Sequence, residues 1–322
     1  MEALQVNNFE SLDTLENKVS SSDQFLQANT KPATLEHLKN DCIIPVFAKD
    51  NESTISHTQF IEVIQDLVDD LFSRETILAP AIRVSHPIKG RIPEAVGKPA
   101  NMLSEDEKTV YYERMAFMLE IPTIHDSVSG NNLSLSLGGV RAYNQENLYS
   151  KRTFEKFKFF IGFKNQVCTN LCISTDGFCD DLKVASTQEL YSKVREVVER
   201  FNGKKLLEQY TNFDNYSLTE RQFAQLVGRA RMYQYLPQDV SKTIDPFPLN
   251  DSQVSMITKS FYNDRNFKGD AEGIDFWRLY NLFTEANKSS YIDSFLKRGV
   301  GSFTFMQHLM RSLEGSTSWY LS

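Results

Sequence analysis

The feature that most constrains how this chain folds is an alternation of side chains in residues 151–164. The segment carries five basic residues and five phenylalanines around one acid, Glu155. Its apolar residues recur at every second position, at Phe157, Phe159, Ile161 and Phe163. A period of two is that of a β-strand, whose successive side chains point to opposite faces of the sheet. The pattern therefore predicts a strand with one apolar face and with Lys156, Lys158 and Phe160 on the other.

The same segment also indicates a function. Its local charge is +4, five positive minus one negative, in a protein whose formal net charge is -7. Ammonium groups can meet phosphates and flat rings can stack on bases, as in proteins that bind single strands. An amphipathic strand with a buried apolar face and solvated lysines explains the same residues without any ligand. The sequence leaves both interpretations open.

Two further stretches extend the predicted nucleic-acid site. Residues 138–144 combine two glycines with Arg141, Tyr143 and Asn144, although a turn or bulge at a strand end also explains the glycines. Residues 228–235 form a second basic-aromatic cluster, whose arginines equally suit the dipole at a helix C-terminus. The predicted nucleic-acid-binding residues are therefore Arg141, Tyr143, Lys151, Arg152, Lys156, Lys158, Phe160, Lys164, Arg229 and Arg231.

Composition sets the class of protein. The chain has 322 residues, 41% of them hydrophobic, which is enough for two domains or one large one. Its pI near 5.4 means that contact with a nucleic acid must be local. Four cysteines and an acidic start without an apolar signal region indicate a reducing cytoplasm. No apolar run approaches the roughly 18–20 residues of a membrane helix, so we expect no membrane contact.

Periodicity divides the chain into two halves. The first half is predicted to hold an edge strand at 42–47, a helix at 56–73 capped by Ser56, strands at 82–85, 110–121, 133–137, 156–164 and 167–174, and a hairpin turn at 129–132. The second half is predicted to be helical at 189–201, at 219–235 after a Thr219 cap, at 252–266 after a Ser252 cap, and at 274–286, 290–297 and 303–313. Gly299 and Gly301 are expected to separate the last two helices.

These elements predict an α+β fold, with a mixed, mostly antiparallel β-rich domain followed by an all-helical domain. The expected boundaries are a flexible acidic tail at 1–40, a β-rich domain at 41–180 and a helical domain at 186–315. The tail prediction rests on a polar composition with six acids against three lysines.

Motifs for catalysis or cofactor binding are missing from the linear sequence. Cys168, Cys172 and Cys179 are separated by three and six residues, which matches no usual zinc ligand pair. The five histidines are scattered, and neither a phosphate-binding loop nor a nucleophile elbow is present. We therefore predict no metal, no cofactor and no catalytic residue, and an enzyme is the least favoured class.

Several segments resemble a domain-of-unknown-function family, number thirty-eight seventy-one, of Bacteroidetes and their conjugative elements and phages. The resemblance is carried by residues 40–57, 82–91, 111–124, 138–153, 155–177, 218–237 and 286–296, which include IRVSHPIKGR, GGVRAYNQENLYSKRT and LTERQFAQLVGRARMYQYLP. The chain is also distantly similar to a broader phage- and plasmid-borne domain of unknown function. The resemblance implies a protein of a mobile element and assigns no activity and no site residue.

Two functions follow as expectations. In the first, the protein binds single-stranded DNA or RNA as an accessory in replication, recombination or transfer. In the second, it is a non-enzymatic factor that binds a host defence or regulatory complex, with an acidic surface that mimics nucleic acid. Exposure of the basic-aromatic strand decides between them.

Overall fold

A computed structural model describes residues 24–42, 54–95, 97–143, 154–270 and 272–322. In these ranges the first half of the chain forms a curled antiparallel sheet and the second half is helical. The predicted α+β class is therefore confirmed. The predicted edge strand at 42–47 lies outside the described residues except for Cys42.

The strands of the first half are β1 (Lys31–Ala33), β2 (Ala81–Val84), β3 (Pro87–Arg91), β4 (Lys108–Tyr112), β5 (Arg114–Val128), β6 (Asn131–Ala142), β7 (Glu155–Asn165), β8 (Leu171–Cys172) and β9 (Phe178–Val184). The main sheet has the order β1-β2-β5-β6-β7, and both β8 and β9 pair with β7. β3 and β4 form a separate ribbon. Every described pairing is antiparallel.

The helices are α1 (Leu35–Asn40), α2 (His57–Leu71), α3 (Thr187–Arg200), α4 (Gly203–Asn212), α5 (Glu220–Tyr233), α6 (Gln238–Ser241), α7 (Asp251–Asn263), α8 (Phe276–Asn287) and α9 (Ile292–Leu313). Two short strands, β10 (Ser217–Leu218) and β11 (Ile274–Asp275), pair within this half. The predicted N-caps Ser56 and Thr219 are confirmed, each within a capping box. The cap of α7 is Asn250 and not Ser252.

The hairpin predicted at 129–132 is confirmed between β5 and β6. Ser129 and Gly130 both have positive φ, 51° and 76°, as a tight turn of this kind requires. The strand predicted at 110–121 is in fact two strands, β4 and β5, which meet at Glu113.

The prediction that Gly299 and Gly301 divide the last helix was wrong. Helix α9 runs without a break from Ile292 to Leu313. A Cβ at Gly299 would lie 3.5 Å from the Asn287 amide nitrogen, and one at Gly301 would lie 3.0 Å from Pro248 Cβ. Gly301 therefore gives the segment at Pro248 room to approach the helix, at a modest cost in helix propensity, whereas the contact at Gly299 would be an ordinary one.

The main sheet is apolar on both faces. On the first face, the odd-numbered residues of β5, β6 and β7 join helices α2, α3 and α8 in one large cluster that also reaches α4 and α9. On the second face, Ala116, Met118, Val140 and Phe160 pack against Ile292, Phe295 and Leu296 at the start of α9. Apolar residues of both halves thus share one core, while the boundary proposed at 180 falls within β9 and the one at 186 falls just before α3.

The second face is also covered by residues that the sequence assigned to a flexible tail. Phe25 and Leu26 are buried there, and the backbone amides of Gln27 and Ala28 donate to the Lys288 carbonyl oxygen. β1 then pairs with β2, and Thr34 caps α1. For residues 24–40 the tail prediction was therefore wrong, because two apolar side chains in a polar segment are enough to anchor it. Residues 1–23 lie outside the described range.

The first testable prediction concerns the close packing of β6 on β5. A Cβ added at Gly138 would lie 2.1 Å from the Phe117 carbonyl oxygen, whereas nothing lies within 4 Å of one added at Gly228 on α5. Gly138→Ala should lower the free energy of unfolding by about 1–3 kcal/mol or more, because the strands must move apart. Gly228→Ala should raise it by about 0.5–1 kcal/mol, because alanine favours the helix. Urea unfolding of both variants measures this, and equal effects would contradict the tight packing of the two strands.

Candidate functional site

Arg141 and Tyr143 lie on the first face of the sheet, away from solvent. The Arg141 side chain is completely buried, is paired with the Glu155 carboxylate, and lies 4.8 Å and 4.3 Å from the ring centroids of Tyr143 and Phe157. Both carboxylate oxygens of Glu155 accept from the Ile55 amide at 3.1 Å. The expectation of an exposed Arg141 and Tyr143 is therefore corrected: the pair joins β6 and β7 to the segment before α2.

His57 completes this buried cluster. Its ring stacks on Tyr143 with centroids 4.4 Å apart, and its Nε2 is 2.8 Å from the Tyr112 carbonyl oxygen. A carbonyl can only accept, so Nε2 carries the proton and donates it. Burial, aided by the nearby Arg141 charge, lowers the pKa of His57 to about 3. The ring is therefore neutral, and Nδ1 is a buried lone pair without a partner among the described residues.

Phe160 lies on the second face, as the alternation predicted, but it is not open to a base. It is 1% exposed and belongs to the cluster beneath α9. The expectation of an exposed Phe160 is therefore wrong. Its cover comes from residues 292–296, which are distant in sequence, so the pattern of β7 alone could not indicate it.

The two lysines that flank Phe160 are held by acids. Lys158 Nζ lies 3.1 Å from Asp180 and donates to the Asp293 carbonyl oxygen at 2.9 Å. Lys164 Nζ lies 2.7 Å from Glu120. Burial opposes the charge of Glu120, but hydrogen bonds from Lys164 and Ser134 outweigh it and lower the pKa of that carboxyl. Both side chains are 16% exposed, so they serve mainly to close the ends of the second core.

Among the described residues of this tract, Phe154 and Lys156 remain exposed. Lys156 stands opposite Lys183 on β9, and both lysines are exposed. Lys156 also lines a groove of about 280 Å³ together with Lys158, Asp180 and Asp181. Lys151 and Arg152 lie outside the described residues. The predicted strand site is thereby reduced to Lys156, with acids on the same groove.

The second basic cluster, on α5, has partners for both arginines. Arg229 lies 4.9 Å from the centroid of the Trp319 ring and donates to the Ser322 carbonyl oxygen at 3.3 Å. Arg231 donates to Ser255 at 2.6 Å and lies 3.4 Å from Asp251 on α7. Arg229 thus fastens the C-terminal segment to α5, and Arg231 fastens α7. The structure does not bring either arginine together with the β7 tract, which lies on other elements.

The end of α5 nevertheless presents large apolar side chains to solvent. Met232 is 55% exposed, Tyr235 is 82% exposed, and Val240 on α6 is exposed as well. We call these three residues with Arg231 the α5–α6 corner. The sequence pointed to this segment through its arginines, whereas the structure exposes its apolar members.

A second cluster, at the end of α1, went unnoticed in the sequence because residues 1–40 were taken as a tail. His37 Nδ1 lies 2.8 Å from Asp41 Oδ2, and His37 Nε2 lies 2.9 Å from the Tyr112 hydroxyl and 3.6 Å from Cys42 Sγ. The signal that could have revealed it is the i, i+4 spacing of His37 and Asp41, which places both on one helix face.

The described ranges contain no group of three or more His, Cys, Asp and Glu side chains placed to hold a metal ion. None of their helices has the length and apolar character that crossing a bilayer demands.

The second testable prediction concerns His57. Because its pKa is about 3 in the folded protein and 6.5 in the unfolded chain, the unfolded chain binds the extra proton between these values. The free energy of unfolding should therefore fall as the pH falls from 6.5 towards 3, with a contribution approaching about 1.4 kcal/mol per pH unit. His57→Gln should be less stable at neutral pH but show a shallower loss in acid. Urea titrations along the pH series measure this, with the exposed His125→Gln as control; parallel curves for wild type and His57→Gln would contradict a buried neutral ring.

Comparison with known proteins identifies a family that matches this chain. The family described as "Domain of unknown function, B. Theta Gene description (DUF3871)" matches residues 11–321. Neither the curated proteins nor the solved structures give a match. The match takes in the sheet, the helices and both clusters described above. This chain is therefore a member of the DUF3871 domain-of-unknown-function family.

Proposed function

We propose that the protein is an interaction factor that binds a protein partner through the α5–α6 corner. The observation that carries the proposal is the exposure of Tyr235 and Met232 beside Arg231 at the end of one helix. Tyrosine, methionine and arginine are enriched in the cores of protein interfaces, where a few such residues supply most of the binding energy.

The charges of the corner favour a protein over a nucleic acid. Arg231 is paired with Asp251, and Arg229 is packed on Trp319, so both arginines near the end of α5 already have partners. Nucleic-acid affinity depends on cations that neutralise phosphates. The formal net charge of -7 opposes a polyanion further.

The setting proposed for this interaction is a mobile element in the cytoplasm. The resemblance to proteins of conjugative elements and phages supports a partner within a host defence or regulatory complex. An acidic protein surface suits such a role, because it can compete with a nucleic acid for the partner.

The third testable prediction uses a photo-crosslinking residue, p-benzoylphenylalanine, at position 235 of the full chain in its own host. Tyr235 should give an adduct of defined mass, because a bound partner covers it. The same residue at position 102 is the control, since Met102 is 65% exposed and lies between β3 and β4 in the first half of the chain. Excess wild-type protein should abolish the adduct, whereas excess protein with Met232→Asp and Tyr235→Asp should not.

Adducts of equal yield at both positions, or none at 235, would remove the corner from consideration. Circular dichroism of the double variant must match the wild type, which the exposure of both side chains leads us to expect.

A second candidate function is binding of single-stranded nucleic acid at β7, and one observation favours it. Lys156 and Lys183 stand directly opposite each other on β7 and β9. Like charges at such a position disfavour the sheet, and Asp181, whose carboxylate lies 2.7 Å from the Lys183 ammonium nitrogen, offsets part of this cost. Lys151 and Arg152 come shortly before Lys156 in the sequence and extend the basic tract.

The fourth testable prediction separates this function from the first. If the lysine pair binds phosphates, Lys156→Glu with Lys183→Glu should weaken binding of a labelled single-stranded oligonucleotide at low salt. The slope of log affinity against log salt should shrink by roughly 1.4 for two lost phosphate contacts. Fluorescence anisotropy measures both. Lys204→Glu with Lys205→Glu on α4 makes the same change of charge and is the control; equal losses in both double variants, or no binding by the wild type, would rule out a site at β7.

A further inference from the structure

The cluster at the end of α1 has a geometry that the interaction function does not use. Asp41 is the C-cap of α1, and its carboxylate lies 2.8 Å from His37 Nδ1. A carboxylate only accepts, so Nδ1 donates its proton and the imidazole presents the lone pair of Nε2 on the opposite side of the ring. The helix therefore fixes both the orientation and the tautomer of His37.

The group that meets this lone pair is a thiol. Cys42 Sγ lies 3.6 Å from His37 Nε2, and the Tyr112 hydroxyl lies 2.9 Å from the same atom. In the resting state the phenol donates to Nε2, and the thiol is the longer contact. Nucleophile–base contacts are often long without substrate and shorten when it binds. The three side chains thus stand in the order carboxylate, imidazole, thiol.

The thiol needs such a base. Burial, together with the nearby Asp41 carboxylate, raises the pKa of Cys42 to about 11. Sulfur attacks as the thiolate, and at neutral pH this thiol keeps its proton. Proton transfer to His37 would create the thiolate, and the Asp41 carboxylate would stabilise the imidazolium ion that results.

Space for a ligand lies on two sides of the cluster. Cys42 lines a cavity of about 20 Å³ together with Ser56, His57 and Tyr143. That volume holds a group the size of a water molecule, and the unpartnered Nδ1 of His57 belongs to a residue in its wall. Asp41 lines a groove of about 830 Å³ that continues along the β3–β4 ribbon past Lys108 and Thr109. The cavity thus has room for one small group beside the thiol, and the groove beside Asp41 has room for a larger molecule.

We propose that Cys42 and His37 form an acyl-transfer site for an ester or thioester, with Asp41 as the residue that positions His37. Cys42 Sγ attacks the carbonyl carbon and its proton passes to His37 Nε2. The new S–C bond forms, the C–O or C–S bond to the leaving group breaks, and His37 gives its proton to that leaving group. Water then repeats the sequence: His37 takes its proton, the S–C bond breaks, and the carboxylic acid and the thiol are restored.

The ester or thioester follows from what the cluster offers. A nucleophile, a base and an orienting carboxylate are the arrangement used for acyl transfer. Esters and thioesters have good leaving groups, so a single base that returns one proton is sufficient. The mixed charges that line the groove, among them Lys89, Arg91, Glu105 and Asp106, suit an acyl group carried on a polar molecule.

The fifth testable prediction uses p-nitrophenyl acetate with the full chain. One equivalent of nitrophenolate should appear in a burst, and peptide mass spectrometry should place an acetyl group on Cys42. His37→Gln should slow acylation at least about 100-fold, the usual contribution of a general base. Asp41→Asn should slow it, and Asp41→Glu should restore part of the rate, because the longer carboxylate can still accept from Nδ1.

The control is Cys179→Ser, since burial also raises the pKa of that half-buried thiol. This variant should keep the burst, whereas Cys42→Ala should lose it. Urea unfolding of each variant distinguishes a lost base from a lost fold. Acetylation of Cys42 at an unchanged rate in a folded His37→Gln, or a burst that survives Cys42→Ala, would overturn the proposal. Neither result would bear on binding at the α5–α6 corner.

Discussion

The structure depends on the need to cover a sheet that is apolar on both faces. Strands β5, β6 and β7 carry large side chains in both directions, and no single layer of helices can remove both sets from water. Helices α2, α3 and α8 cover the first face, and the start of α9 with Phe25 and Leu26 covers the second. At about 25 cal/mol per Å² of apolar surface, leaving either face open would cost far more than any ion pair at its rim. Because both faces of the sheet are covered, the positions of these covers determine where the charged side chains of β7 can lie.

The charges at the ends of the second face follow from this cover. Lys158 and Lys164 emerge just beyond the apolar band, where Asp180, Asp293 and Glu120 meet them. An unpaired ammonium beside a buried ring would be costly. The Asp180 and Glu120 carboxylates and the Asp293 carbonyl oxygen, from three different elements, therefore meet these lysines. The positive charges of the β7 tract, which the sequence suggested for phosphate binding, are thus largely neutralised within the molecule. Chemistry that remains open lies elsewhere, at the α5–α6 corner and at the end of α1.

Local patterns predicted the parts of the fold that local forces determine. The capping boxes at Ser56 and Thr219, the hairpin turn at Ser129 and Gly130, and the alternation along β7 all depend on residues near in sequence. Phe160 could not be placed in this way, because its neighbours on α9 lie about 130 residues later. Gly301 was interpreted as a helix break because Pro248, which packs closely against it, is distant in sequence and comes near only in the folded protein. The cluster of His37, Asp41 and Cys42 was missed because the polar composition of residues 1–40 predicted a flexible tail. Two apolar side chains in that segment, Phe25 and Leu26, in fact anchor it to the sheet.

The second core also sets an order of events in the nascent chain. Lys158 and Asp293, which meet at the edge of this core, are 135 positions apart. Once α8 has emerged from the ribosome, the first face of the sheet can be covered, but the apolar surface around Met118 and Phe160 stays exposed to water until α9 follows. Such late closure exposes an intermediate to aggregation and to chaperones until the final helix emerges. If synthesis pauses before α9, the second apolar face of the sheet therefore stays uncovered. Chaperones would have to protect this intermediate.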